Sequence, residues 1–180
     1  MDGGCLYEAT EEVIAHHEAG HAVIRVLFRI PFTKVSILSD GDTAGRVVPL
    51  PNRTVNVSND RAFYRMTMTA LAGFAAEEQF VFGESVWVER IGADDIEDLF
   101  GLWKIRNREY PVHIEDPSLR DQYQKAIDAQ WANFLLDSRC EAEDLVCEQW
   151  RAIETLAKAL LEKKEMGASE VRQLVRPLLH

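Results

Sequence analysis

Residues 10–31 have the sequence TEEVIAHHEAGHAVIRVLFRIP, and this stretch decides how the first part of the chain folds. Thr10 is a favourable N-cap, and the two glutamates that follow it suit the positive end of a helix dipole. Pro31 cannot continue a helix, because its ring clashes with the preceding turn and it lacks an N–H group. The pattern therefore predicts a helix from about Glu11 to Arg29.

The motif HExxH lies inside this predicted helix as His17, Glu18 and His21. Residues four apart differ by about 40° around a helix, so the two histidines point the same way. Two neutral imidazoles at that spacing hold one Zn²⁺ at about 2.0–2.1 Å. Glu18 is then placed to act as the general base that takes a proton from water. The motif favours a zinc site over a polar helix patch without metal, since chance produces it in roughly 1% of chains this long.

His16, next to the motif, and Gly20, inside it, are expected to have other roles than metal binding. His16 lies about 100° from His17 around the helix, so we expect a hydrogen-bonded or surface histidine and not a ligand. Gly20 costs about 1 kcal/mol of helix propensity. This cost indicates that a neighbouring backbone or helix approaches closely at Gly20.

A catalytic zinc needs a third protein ligand and an open fourth position. Several carboxylates and one further histidine are available, and spacing alone does not choose among them: Glu77, Glu78, Asp94, Asp95, Asp98 and His113.

The bulk composition is that of a globular protein with a hydrophobic core. The 180 residues are 47% hydrophobic and carry a formal net charge of −10. A negative chain is a poor partner for nucleic acid or for an anionic membrane surface, so we expect neither. The length predicts one domain over residues 1–180.

The cysteines and the apolar segments suggest a cytoplasmic protein. The three cysteines form no CxxC pair and no disulfide framework, so reduced thiols are expected. The acidic stretch 1–10 lacks the basic start of a signal peptide. The longest apolar stretch, Ala22–Ile30, is short and contains two arginines, which excludes a membrane span.

The rest of the chain predicts an α+β fold that is mostly α. Strands are predicted at Phe32–Leu38 and Gly45–Leu50, and Pro49 favours an edge position for the second strand. These strands form a small N-terminal sheet, and helices follow at about Asp60–Phe82, Asp94–Tyr110, Ser118–Leu136, Cys140–Lys164 and after Ser169. We expect a metal-site part over about 10–110 and a C-terminal helical bundle over about 118–180.

Several stretches together resemble the protease domain of the FtsH family of ATP-dependent zinc metalloproteases. The resemblance extends in order over roughly Glu11 to Leu174. Its stretches are Ile14–Val23 with the HExxH motif, Lys34–Ile37 and Gly45–Pro51, Leu71–Glu78 with Phe82-Gly83, Gly92–Ile96, and Cys147–Val175. Each later stretch is weak alone, and the order and spacing carry the argument. The resemblance implies a zinc-helix metalloprotease domain.

The resemblance also implies an aspartate as the third zinc ligand. The family usually has one more residue between the Gly-Ala pair and that aspartate. A one-residue gap assigns the role to Asp95, because the aliphatic Ile96 follows it; Asp94 is the second choice, before His113 or a glutamate. Glu77 or Glu78 is expected either to hold a ligand histidine in the right tautomer or to pack behind the metal helix.

The implied activity is hydrolysis of peptide bonds by a zinc-dependent endopeptidase. The sequence contains no P-loop pattern GxxxxGK[ST], so the substrates are expected to be short or unfolded, or to be brought by a delivery partner. The sequence leaves assembly into a homo-oligomer open as well. The first alternative is a non-catalytic, metal-stabilised module that binds peptides or regulates a partner. Others are a regulatory protease specific for one partner and a hydrolase of non-peptide bonds.

Overall fold

The computed structural model describes residues 10–39, 45–51, 56–81, 93–107 and 116–180. In chain order its elements are α1 (Glu11–Leu27), β1 (Phe32–Ser36), β2 (Arg46–Pro49), α2 (Asp60–Phe80), α3 (Ala93–Asn107), α4 (Pro117–Glu148), α5 (Trp150–Lys163), β3 (Glu165–Gly167) and α6 (Ala168–Val175), followed by a 3₁₀ turn (Arg176–Leu178). The predicted α+β, mostly α fold with a small sheet is confirmed.

Helix α1 begins and ends as its sequence requires. The Thr10 hydroxyl accepts a hydrogen bond from the Val13 N–H, which confirms the predicted N-cap. The helix ends at Leu27, two residues before the predicted end. Arg29 then adopts a left-handed conformation with φ 58°, and the Ile30 N–H closes the last turn by donating to the Arg25 carbonyl.

The sheet contains three antiparallel strands in the order β2-β1-β3. Val35 in the central strand is fully buried and pairs with Val47 on one side and Met166 on the other. Within the described residues β2 is therefore an edge strand, as Pro49 predicted. Strand β3 was not predicted, because three residues carry too little periodicity to be recognised.

The predicted break between helices at Leu136 and Cys140 is wrong. Helix α4 runs through this point without interruption and ends only at Glu148. Asp137 and Ser138 are weak helix formers, but Ser138 is buried and Arg139 binds Glu78 of α2 with both carboxylate oxygens, at 2.8 and 2.9 Å. Tertiary contacts thus stabilise the helix where its local propensity is low.

The actual break lies at Gln149, which separates α4 from α5. Its side chain is 1% exposed and exchanges hydrogen bonds with the backbone of His180: its carbonyl oxygen accepts from the His180 N–H, and its amide donates to the His180 carbonyl. Because the partner, His180, lies 31 residues away in the chain, the local sequence does not indicate this break.

The main hydrophobic core surrounds α1, which packs against both α2 and α5. A second, smaller cluster joins α2, α3 and α4 and contains Trp103, which is buried, and Trp131, which is partly buried. Trp150 packs against the main core. These three tryptophans confirm the predicted core role, and Trp87 lies outside the described residues.

The described part of the chain has no helix that is both long and apolar enough to cross a membrane. Cys140 and Cys147 are exposed free thiols on α4, in agreement with the expected absence of a disulfide between them. Cys5 lies outside the described residues.

Candidate metal centre

The site is built on α1, with α2 below it and the start of α3 beside it. His17 and His21 lie one turn apart on a buried face of α1, and their Nε2 atoms are 3.0 Å apart. Asp95, in the first turn of α3, places Oδ2 3.1 Å from His21 Nε2 and 3.6 Å from His17 Nε2. The structure thus brings together the three residues that the sequence and the family resemblance selected as ligands.

These separations fit a single tetrahedral metal ion. Zinc bonds of about 2.0–2.1 Å place neighbouring tetrahedral ligand atoms about 3.3 Å apart. The observed 3.0, 3.1 and 3.6 Å lie around that value. The donor set of two imidazoles and one carboxylate is also one that zinc accepts in catalytic sites, with the fourth position left open.

The outer nitrogens of both rings face hydrogen-bond acceptors. His21 Nδ1 lies 2.6 Å from the Thr69 carbonyl oxygen, which only accepts, so Nδ1 carries the proton. His17 Nδ1 lies 3.4 Å from Glu77 Oε2, and these two buried atoms have no hydrogen-bond partner. With both protons on Nδ1, two Nε2 lone pairs face each other at 3.0 Å, an arrangement that a cation between them stabilises.

Glycine at position 73 of α2 leaves room for the histidine pair. A Cβ atom at Gly73 would lie 2.7 Å from His17 Nε2 and closer still to His21 Nε2. Real Cβ atoms essentially never show contacts this short. The role of Gly73 was not identified from the sequence. The small residues around it on α2 were a sign that another helix packs closely there.

The glycine inside the motif has the role that was predicted for it. A Cβ atom at Gly20 would overlap the Ala72 carbonyl oxygen of α2 and lie 2.8 Å from the Ala76 Cβ. This confirms that a neighbouring helix approaches closely at this point. Helix α2 is therefore near enough to place Gly73 beneath the two imidazoles.

The electrostatics of the site favour a positive charge between the ligands. Burial opposes a charge on His17, but the nearby carboxylates of Asp95 and Glu77 outweigh it and raise the pKa of His17 to about 9. Burial alone would raise the pKa of Asp95, yet the two histidines hold it well below its usual range. Without a metal the pocket thus favours a proton on His17. A divalent cation between the ligands would be stabilised by the same two carboxylates, Asp95 and Glu77.

Glu18 lies beside the histidines and makes no hydrogen bond through its Oε2 atom. That oxygen is buried without a partner, and burial raises the pKa of the carboxyl group. On its other side, a Cβ atom at Gly45 would lie 3.0 Å from Glu18 Oε1. Gly45 immediately precedes β2, so the edge strand starts next to this carboxylate.

The remaining candidates are resolved by their contacts. Glu77 faces His17, whereas Glu78 pairs with Arg139. Asp98 is exposed and lies outside the ligand cluster. His16 donates from Nδ1 to the Glu12 carbonyl at 2.7 Å and stacks on Phe80, which confirms its non-ligand role. The Asp94 side chain and His113 lie outside the described part of the structure.

The model of peptidase family M41 matches residues 5–99, which include the whole HExxH helix and Asp95. The chain belongs to this family. The resemblance to the FtsH protease domain is thereby confirmed, since the relatives of this M41 chain are FtsH proteins.

Three such relatives are named ATP-dependent zinc metalloproteases. FtsH 4 of Sorangium cellulosum is 30% identical over 192 aligned positions, covering 94% of this chain and 30% of the relative. FtsH 1 of Rhodopirellula baltica is 27% identical, covering 97% and 29%. FTSH 9, chloroplastic/mitochondrial, of Oryza sativa is 29% identical, covering 96% and 23%. The M41 chain thus spans less than a third of the length of these relatives.

Proposed function

We propose that this chain is a zinc-dependent endopeptidase that hydrolyses peptide bonds of short or unfolded protein substrates. The observation that carries the proposal is the convergence of His17, His21 and Asp95 beside the buried, unpartnered carboxylate of Glu18. Zinc ligation needs only the first three residues. Hydrolysis requires a general base in addition, and Glu18, which lies near both histidines and is not one of the ligands, is the carboxylate proposed for that role.

The metal would be held by His17 Nε2, His21 Nε2 and an Asp95 oxygen. When bound there, zinc supplies a Lewis acid that polarises a carbonyl group and lowers the pKa of water. The two histidine side chains are 4% and 8% exposed, whereas the Asp95 side chain is 40% exposed. Substrate therefore approaches from the Asp95 side.

Glu18 moves the proton in the proposed reaction. Its carboxylate takes a proton from the attacking water and passes it to the nitrogen of the leaving amine. The Thr69 carbonyl accepts the Nδ1 proton of His21, and the Glu77 carboxylate 3.4 Å from His17 Nδ1 favours a proton on that nitrogen, so both Nε2 atoms are available for the metal.

Strand β2 is the proposed docking edge for an extended substrate. Its outer edge is unpaired within the described residues, and Gly45 at its start contacts Glu18. Neighbouring residues of an edge strand direct their N–H groups alternately toward and away from the partner strand. Proline at Val47 and, separately, at Val48 therefore removes one inward and one outward donor. Loss of the inward donor breaks a hydrogen bond to β1 and should lower the melting temperature, so the variant that keeps its melting temperature is the one that has lost the outward donor. If that variant hydrolyses peptides at the wild-type rate, the substrate does not dock along β2.

Residues 1–180 are proposed to act as one peptidase domain, because α1 shares its core with both α2 and α5. The 180 residues contain no P-loop pattern, so the proposal assigns no ATP-driven unfolding to them. Folded substrates would then need a delivery partner, and assembly into a homo-oligomer belongs to the same proposal.

The test compares the wild type with Glu18→Gln, which keeps the shape and removes the base. Bound zinc is measured by mass spectrometry and cleavage is followed with unfolded casein and short peptides. We expect zinc in both proteins and cleavage by the wild type alone. Zinc in both proteins with no cleavage by either contradicts the proposal and supports the metal-stabilised binding module instead.

A further inference from the structure

Helix α1 carries one more polar residue on the face of the metal centre. Arg25 follows His21 by one turn and Glu18 by two, so it lies between them in angle around the helix, within about 40° of each. Long side chains in a helix lean back toward its N-terminus. The guanidinium of Arg25 therefore extends from its own turn toward the turn that carries His21.

The guanidinium has no protein partner in the described part of the chain. Its Nε atom is buried and makes no hydrogen bond, and no carboxylate forms an ion pair with it. Burial lowers the pKa of Arg25, while the negative charges of Asp95 and Glu18 oppose that shift. This shift does not neutralise the guanidinium, because arginine side chains stay protonated in proteins.

Neither of the two nearby carboxylates, Asp95 and Glu18, forms an ion pair with Arg25 among the described residues. Asp95 Oδ2 instead lies 3.1 Å from His21 Nε2, and the buried Oε2 of Glu18 makes no hydrogen bond. An arginine that served only to balance their charge would bind one of them directly. The planar N–H donors of Arg25 are therefore available to another anion. A carboxylate fits them well, because it accepts two parallel hydrogen bonds from a guanidinium.

We propose that Arg25 is a specificity-determining residue that binds a substrate carboxylate next to the scissile peptide bond. This inference rests on the proposed peptidase function. A peptide offers two such groups: an aspartate or glutamate side chain close to the cleaved bond, and the terminal carboxylate of a short peptide. Either carboxylate would pair with the guanidinium of Arg25. A neutral group of the same shape would leave the guanidinium without an anionic partner.

The test uses matched fluorogenic peptides. One series places Glu or Gln at each position flanking the cleaved bond, and a second compares a free terminal carboxylate with its amide. The ratio of kcat/KM between the charged and the neutral member is measured for the wild type, Arg25→Gln and the control Arg61→Gln. Arg61 is an exposed arginine at the start of α2, about 18 Å along that helix from Gly73.

We expect the wild type and Arg61→Gln to prefer the charged peptide by about tenfold or more, and Arg25→Gln to show a ratio near one. The series that carries the preference identifies the source of the carboxylate. A ratio near one in the wild type for both series overturns the proposal, as does a preference that survives in Arg25→Gln.

A binding measurement separates this inference from the activity itself. Fluorescence anisotropy with the same peptides compares Glu18→Gln with Glu18→Gln/Arg25→Gln, and zinc content is measured in both. Carboxylate recognition is supported if Glu18→Gln binds the charged peptide about tenfold more tightly than the neutral one and the double variant, at equal zinc content, does not. This result would hold even when no variant cleaves the peptides. Equal binding of charged and neutral peptides rules it out, and loss of zinc in the double variant assigns Arg25 to the metal centre instead.

Discussion

Replacement of Gly73 by alanine tests the metal centre through a single added methyl group. The new Cβ would lie 2.7 Å from His17 Nε2 and closer to His21 Nε2, whereas ordinary contact begins at 3.4 Å. Both nitrogens must therefore retreat by about 0.7 Å or more. Metal sites tolerate about 0.2 Å in ligand distance, so we expect zinc affinity to fall by about 100-fold or more.

The assay is competition with a chromophoric zinc chelator, with far-UV circular dichroism and melting of the metal-free protein as the check on folding. Gly101→Ala is the matched control, because a Cβ at Gly101 in α3 meets nothing within 4 Å. That change should leave zinc affinity unaltered and stabilise the fold by about 0.5–1 kcal/mol through helix propensity. Wild-type zinc affinity in a folded Gly73→Ala protein would refute the proposed position of the metal.

Three further predictions concern the contacts around the site. Gly20→Ala inserts a methyl group against a backbone carbonyl of α2, so unfolding should become easier by about 1–3 kcal/mol in denaturant titrations. Glu77→Gln should weaken zinc binding by about 10–100-fold, whereas Glu78→Gln, which only loses a partner on α4, should retain zinc and lower the melting temperature. Asp95→Asn should reduce bound zinc at equal protein concentration, and full retention would exclude Asp95 as a ligand.

Much of α1 and its chemistry is predictable from sequence because the signals are local. The Thr10 cap, the spacing of His17 and His21, and the stop before Pro31 all act within one or two turns. The role of Gly20 follows from the same logic, since a residue that weakens its own helix indicates a contact outside it. These features needed no knowledge of the rest of the chain.

The helix boundaries and the choice between Glu77 and Glu78 depend on distant partners. Helix α4 continues through Ser138 because Arg139 reaches α2, and it stops at Gln149 because of His180. The choice of Glu77 over Glu78 depends on which side of α2 faces α1, and adjacent residues differ by about 100°. Asp95 came from the family resemblance, since its own surroundings show only an acidic helix start.

The close packing of α1 on α2 links the fold to the proposed chemistry. Gly20 lets the α2 backbone approach, and that approach carries Gly73 under the imidazoles and Glu77 to His17 Nδ1. A larger residue at position 20 would separate the helices and remove both the space below the ligands and the acceptor behind them. Both glycines are thus needed for the same short distance between α1 and α2. This distance packs the core, and it also sets how close Glu77 on α2 lies to the histidines on α1.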